Sequence, residues 1–149
     1  MKRIPWIAAL AMLGFVVLQP ALPGSGGVAL AADKPYRVVF DLTSRDSLDQ
    51  KAVMRWIREI SASSPKAEME VVMYGKGFEL VMPDKTTKLP DVQDAVKNPN
   101  VTFKVCEIAM KNNNLTKEQF VKEVQTVPDG IREIVTKQQA GWGYIKVGH

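Results

Sequence analysis

One histidine and one cysteine are too few to build most side-chain chemistry. The histidine, His149, is the last residue, so no Ser/His/Asp set can form around an internal imidazole. No Cys/His spacing suits a zinc site, and no C-x-x-C-H run suits haem attachment. Metal centre, haem protein and triad hydrolase are therefore set aside, and no cofactor is expected. The seven methionines do not supply a copper site. Met1 and Met12 fall in the N-terminal leader, and Met54, Met69, Met73, Met82 and Met110 are scattered over core-like positions. Aromatic residues make up only 7% of the chain, and Lys and Arg never cluster among them. A nucleic-acid surface would need that interleaving. Repeats and low-complexity tracts are also missing, apart from the tail of the leader.

The leader itself reads as a secretory signal. Lys2 and Arg3 precede an apolar run from Ile4 to Leu18, which is shorter than the roughly 20 residues a spanning helix needs. Pro20, Pro23 and the small residues 24–27 follow, and Ala29-Leu-Ala31 satisfies the A-x-A cleavage rule, with Ala32 a near tie. No cysteine lies near the cut, which argues against a lipoprotein. The reading is a signal peptide over residues 1–31 and one domain over residues 32–149, periplasmic or secreted, with no stable membrane insertion after cleavage. The formal charge of +4 loses Lys2 and Arg3 with the leader, leaving eighteen cationic against sixteen acidic side chains.

Export makes the single cysteine informative. Oxidising compartments favour disulfides, yet Cys106 has no partner in its own chain. It is buried and inert, paired between chains, or kept for chemistry. A small buried hydrophobe is the plain structural reading, since cysteine is among the most buried residue types.

Behind the leader, strand-like and helix-like segments alternate. Residues 36–43, 68–74, 101–106, 124–127 and 142–147 read as five strands from their β-branched and aromatic content. Ser47 and Gln50 suggest a capping box, followed by Val53, Trp56, Ile57 and Ile60 at helical spacing. Phe78 to Met82 reads as a turn or two of helix. Val92, Ala95 and Val96 share one face of a segment over 91–98. Glu107 to Asn112 is a short helix, and Thr116 with Gln119 opens another, stapled by Leu115 and Phe120. Pro128 is expected as the first residue of a last helix, with Asp129 in its opening turn and Ile131, Ile134 and Val135 buried. Strands joined by helices imply crossovers, hence an α/β fold: a mostly parallel five-stranded sheet with helices on both faces, flavodoxin-like in general architecture. Thr102 and Lys104 leave one face of the third strand imperfectly apolar, which suggests self-association.

Ligand sites of such sheets lie outside the carboxyl ends of the strands. Three segments fall there: Asp41 to Ser44, Tyr74-Gly75-Lys76-Gly77, and Cys106-Glu107. At a helix start, unpaired amides favour a thiolate over a thiol, while the Glu107 carboxylate opposes it; Lys76 or Lys104 are the candidate compensating charges. Gly75 and Gly77 either let backbone amides approach an anion or simply make a turn, and no longer phosphate-binding pattern completes them. Asp41 reads as a general base or, more commonly for such a position, a solvated strand-end carboxylate.

These residues resemble a known family. Val38-Val39-Phe40, Tyr74-Gly75-x-Gly77 and Val101-x-Phe103-x-Val105-Cys106-Glu107 occur in order, followed by Leu115-Thr116, Val127-Pro128-x-Gly130-Ile131 and Gln138-Gln139-x-Gly141-Trp142-x-Tyr144-Ile145. The chain is similar over nearly all of residues 32–149 to small, exported, single-domain DsrE/DsrF-like proteins. The resemblance implies a three-layer α/β/α fold, a homo-oligomer, trimeric or hexameric, and a sulfur-relay role. Cys106 would then accept sulfane sulfur as a persulfide from a donor protein and pass it to an acceptor. Relatives often carry Cys-x-Asn-Thr where this chain reads Cys106-Glu107-Ile108-Ala109. The competing reading is a non-catalytic oligomeric binding module in which Cys106 is structural.

Overall fold

The computed structural model describes residues 36–148; the expected leader, its expected cleavage site and His149 lie outside the described residues. Five strands, β1 (Arg37–Leu42), β2 (Glu68–Met73), β3 (Val101–Cys106), β4 (Gln125–Val127) and β5 (Gly143–Val147), form one sheet. Its order is β4-β3-β2-β1-β5, and every neighbouring pair is parallel. The helices are α1 (Ser47–Ser63), α2 (Leu89–Ala95), α3 (Glu107–Asn112) and α4 (Gly130–Gln139), with 3-10 turns at Gly77–Val81 and Lys117–Gln119.

This order explains why the two sheet faces differ. The chain steps from β1 through β2 and β3 to β4 in one direction, then returns across the sheet to β5. Right-handed crossovers put helices of the outward steps on one face and the helix of the return step on the other. Val38, Phe40, Leu42, Met69, Val71, Met73, Val101, Phe103 and Val105 alternate onto the first face, and all are buried. Phe40 stacks there on Trp56 of α1, with ring centroids 6.1 Å apart. Met54, Met69, Met73 and Met82 belong to this core, and Met110 packs half-buried against it, as their core-like positions suggested.

The second face carries the alternate residues, among them Asp41, Glu70, Lys104 and Cys106, and α4 lies on it through Ile134 against Val39 and Val72. Its polar groups are buried in partnership rather than solvated. Lys104 Nζ reaches Glu133 Oε1 at 2.7 Å and Glu70 Oε2 at 2.9 Å, and Lys137 Nζ reaches Glu70 Oε2 at 2.8 Å. Lys137 also sits 4.2 Å from the centre of the Trp142 ring. An ion cluster thus does for β2, β3 and α4 what aliphatic packing does on the other face.

Several local expectations change. Asp46, not Ser47, caps α1, accepting from the Leu48 amide at 2.7 Å. Pro128 lies outside α4; Asp129 is its cap, and Gly130 is the first helical residue. The Thr116/Gln119 box forms, but it closes only a single 3-10 turn. Pro90 sits in the first turn of α2, which begins at Leu89, where a missing N–H costs nothing. Ile131 and Val135 are exposed, at 60% and 46%; only Ile134 of the expected trio is buried.

Candidate functional site

Cys106 ends β3 and caps α3, so two elements fix its backbone. It is 5% exposed and forms part of the wall of a cleft of about 210 Å³. Tyr74 and Gly75 line the cleft from the end of β2, Ile108, Ala109, Asn112 and Asn113 from α3 and its end, and Asp129 and Ile131 from the start of α4. Gly130 lies against the cysteine. A β-carbon built there would stand 3.1 Å from Cys106 Cβ and 3.2 Å from Val72 Cγ1, so glycine permits α4 to approach this closely.

The three expected segments do converge at the carboxyl edge, in different roles. Asp41 is not solvated: it is 4% exposed and accepts three hydrogen bonds. Tyr144 Oη donates to its Oδ2 at 2.8 Å and Tyr74 Oη at 3.2 Å, while Lys146 Nζ donates to Oδ1 at 3.2 Å. Lys146 also bonds Thr43 Oγ1 at 2.9 Å. Asp41 therefore holds Tyr74, one wall of the cleft, from behind. Gly75 turns with φ +59°, and the Lys76 and Gly77 amides donate to Thr43 and Tyr74 carbonyls at 2.9 and 3.0 Å. Those two amides make the turn rather than an anion cradle. Glu107 is exposed and accepts from Thr126 Oγ1 at 2.8 Å. Lys76 Nζ donates to Asn113 Oδ1 at 2.7 Å, and Lys104 belongs to the ion cluster, so each has a partner other than the sulfur.

Sequence reasoning missed Asp129, Ile131, Asn112, Asn113, Tyr144 and Lys146 as site residues. Asp129 was legible as a helix-start residue, but nothing local says that α4 begins over the end of β3. A second cleft, of about 220 Å³ between α1 and α2, is lined by Met54, Arg58, Asp91 and Asp94 among others and holds no thiol.

The Tyr74 phenol is pushed up to about 12, first by burial and then by the charge and hydrogen bond of Asp41. Tyr144 is raised in the same direction, first by its hydrogen bond to Asp41. A raised phenol favours the protonated fold. Its contribution is complete below the ordinary value of about 10 and is lost as pH climbs from there towards 12. Phenolate absorbance should show a component titrating near 12 that Tyr74→Phe removes. Asp41→Asn should move it back towards the ordinary value; no movement would mean that Asp41 does not hold Tyr74.

An all-parallel α/β domain with one cysteine at the carboxyl edge of its sheet, facing a small cleft, is the class defined by fold and site. The chain belongs to the DsrE/DsrF-like family, whose profile matches residues 37–147, and that family is linked to sulfur relay. Among solved structures, a protein of unknown function from Methanobacterium thermoautotrophicum is similar, with 26% identity and a TM-score of 0.70 over 74% of this chain and 98% of that one. A conserved protein of unknown function from Bacteroides thetaiotaomicron shares the fold at 10% identity, with a TM-score of 0.62 over 74% of this chain and 94% of its own. No curated protein matches the chain.

Proposed function

We propose that the protein is a thiol-based sulfur carrier that accepts sulfane sulfur on Cys106 in the cell envelope. The observation that carries this reading is the placing of the chain's single thiol in the wall of a cleft, at the sheet edge of a family linked to sulfur relay. In the step envisaged, the Cys106 thiolate attacks the outer sulfur of a donor persulfide, R–S–SH. A new S–S bond forms, the donor's S–S bond breaks, the electron pair leaves with R–S⁻, and Cys106 carries –S–SH. The leader supports the envelope location, and recovery of the protein from cells with residues 1–31 still attached would count against it.

Incubation with a sulfane donor should add one sulfur to the mass of the native protein. Cys106→Ser, which keeps the branching of the side chain and removes the sulfur, should abolish that gain while leaving folding intact. A native protein that stays unmodified and resists alkylation at neutral pH would remove the proposal. The alternative, an oligomeric binding module, has one observation in its favour: Ile108 and Ile131 flank the cleft at 51% and 60% exposure. It requires that Cys106→Ser preserve both assembly and function.

A further inference from the structure

We infer that α4 is a latched lid over Cys106: the ion cluster beneath it holds it down, and its local opening admits reactants too wide for the cleft. The inference rests on the sulfur-carrier reading for the use of the thiol, and it adds how access to that thiol is controlled.

α4 meets the sheet along Gly130, Glu133, Ile134 and Lys137, which fall three or four residues apart and so share one side of the helix. Of these only Ile134 brings a buried apolar side chain, against Val39 and Val72. On the opposite face α1 brings three, Val53, Met54 and Ile57. Charge supplies what α4 lacks in apolar contact. Glu133 meets Lys104 of β3 at 2.7 Å, and Lys137 meets Glu70 of β2 at 2.8 Å, so each of the two strands holds the helix by an ion pair. Removing one partner of such a pair loosens the helix, because the charge left behind favours water over the sheet. An element with so little buried apolar surface opens at a lower free energy than the whole domain.

The first turn of the same helix closes the thiol in. A β-carbon built on Gly130 would stand 3.1 Å from Cys106 Cβ, and Asp129 and Ile131 form the α4 side of the cleft. The cleft, at about 210 Å³, is smaller than the roughly 300–1,000 Å³ of sites for drug-sized ligands. Pro128 and Asp129 join α4 to β4, and Ala140 to Trp142 join it to β5. Ties that short forbid a swing of the intact helix, so the motion is a lifting of its first turns from β3. The cleft wall beside Cys106 goes with them.

The test compares two neutral thiol reagents on the native full chain, N-ethylmaleimide, which is small, and N-pyrenylmaleimide, which is bulky. Both consume the same thiolate by the same reaction, so the ratio of their rates cancels any change in thiol ionisation. Lys137→Met and Glu133→Gln remove charges of opposite sign, and each should raise the pyrenyl-to-ethyl ratio about three- to tenfold. Lys137→Arg, which keeps the charge, should stay at the wild-type ratio. Amide exchange should quicken by a similar factor over residues 130–139 while the β2 amides keep their wild-type rates. Val92→Ala, which weakens the core on the opposite face, should leave the ratio alone. A ratio unchanged in both charge variants, or one raised equally by Val92→Ala, or one raised together with faster β2 exchange, overturns the lid. The carrier reading then still stands on sulfur loading at Cys106. A native Cys106 that takes neither maleimide, although the denatured chain takes both, overturns the carrier reading and the lid with it.

Discussion

Replacing Gly77 by alanine should leave little or no folded protein. A β-carbon at that position would lie 2.1 Å from the Leu42 carbonyl oxygen and 2.7 Å from its carbonyl carbon, far inside van der Waals contact. Neither side can yield. Leu42 is wholly buried in β1, between β2 and β5, and the Gly77 amide is tied to the Tyr74 carbonyl at 3.0 Å. The expected loss exceeds about 4 kcal/mol, in the range reserved for severe core defects. That is a large part of the roughly 5–15 kcal/mol that holds a domain folded. Gly75→Ala offers the internal comparison. There the difficulty is a left-handed φ of +59° and a 2.9 Å approach to the Thr43 oxygen, worth about 1–2 kcal/mol in conformational cost. Urea unfolding of the two variants should rank them clearly. A Gly77→Ala protein as stable as Gly75→Ala would contradict the close approach of the two backbones.

Lys104→Met should cost about 3 kcal/mol, because it removes one partner from a buried ion cluster and strands the other. Glu70, its side chain 3% exposed, would keep only Lys137, and Glu133 would keep only the longer 3.9 Å contact with Lys137. The double variant Glu70→Leu/Lys104→Met should recover most of the loss, since replacing both members with apolar groups removes the desolvation cost together with the attraction. The double-mutant cycle should therefore show strong coupling, and additive losses would mean that the two charges do not depend on each other.

The cluster also sets a pH window. Burial acts to raise the Glu133 carboxyl, but hydrogen bonding and charge from Lys104 hold it below its ordinary value. Its contribution is complete above the usual carboxylate range and is lost as pH falls through the depressed value. For Lys104, burial acts to lower the ammonium, but hydrogen bonds to Glu133 and Glu70 keep it above its ordinary value. Its contribution is present throughout neutral pH and is lost only as pH rises through that raised value. The acid limb of wild-type stability should flatten in Lys104→Met.

How much of this was legible before the structure varies by element. All five strands and the long first helix were readable because β-branched runs and 3.6-residue spacing are local properties. The cap of α1 slipped by one residue, from Ser47 to Asp46, and the start of α4 by two, from Pro128 to Gly130, because the Asp46 and Asp129 side chains accept from the first-turn amides. The apolar residues of the last helix misled: Ile131 has the composition of a core residue but stands at the mouth of the cleft. Asp41 misled in the opposite direction, since a carboxylate at a strand end is ordinarily wet and this one is enclosed by donors from Tyr74, just after β2, and from Tyr144 and Lys146 of β5. The cysteine itself was found for a local reason, its place between a strand and a helix.

The amino-acid order alone dictated the parallel α/β class, the core methionines and the edge to which Cys106 belongs, because each depends on periodicity or on short-range backbone chemistry. Folding decided the remainder. Which strands are neighbours, that α4 is the one helix on the polar face among the described residues, and that Asp129 comes to line a cleft with a thiol twenty-three positions earlier in the chain all follow from crossover handedness and chain return. Those relations join residues that share no local pattern, so they exist only once the sheet is assembled.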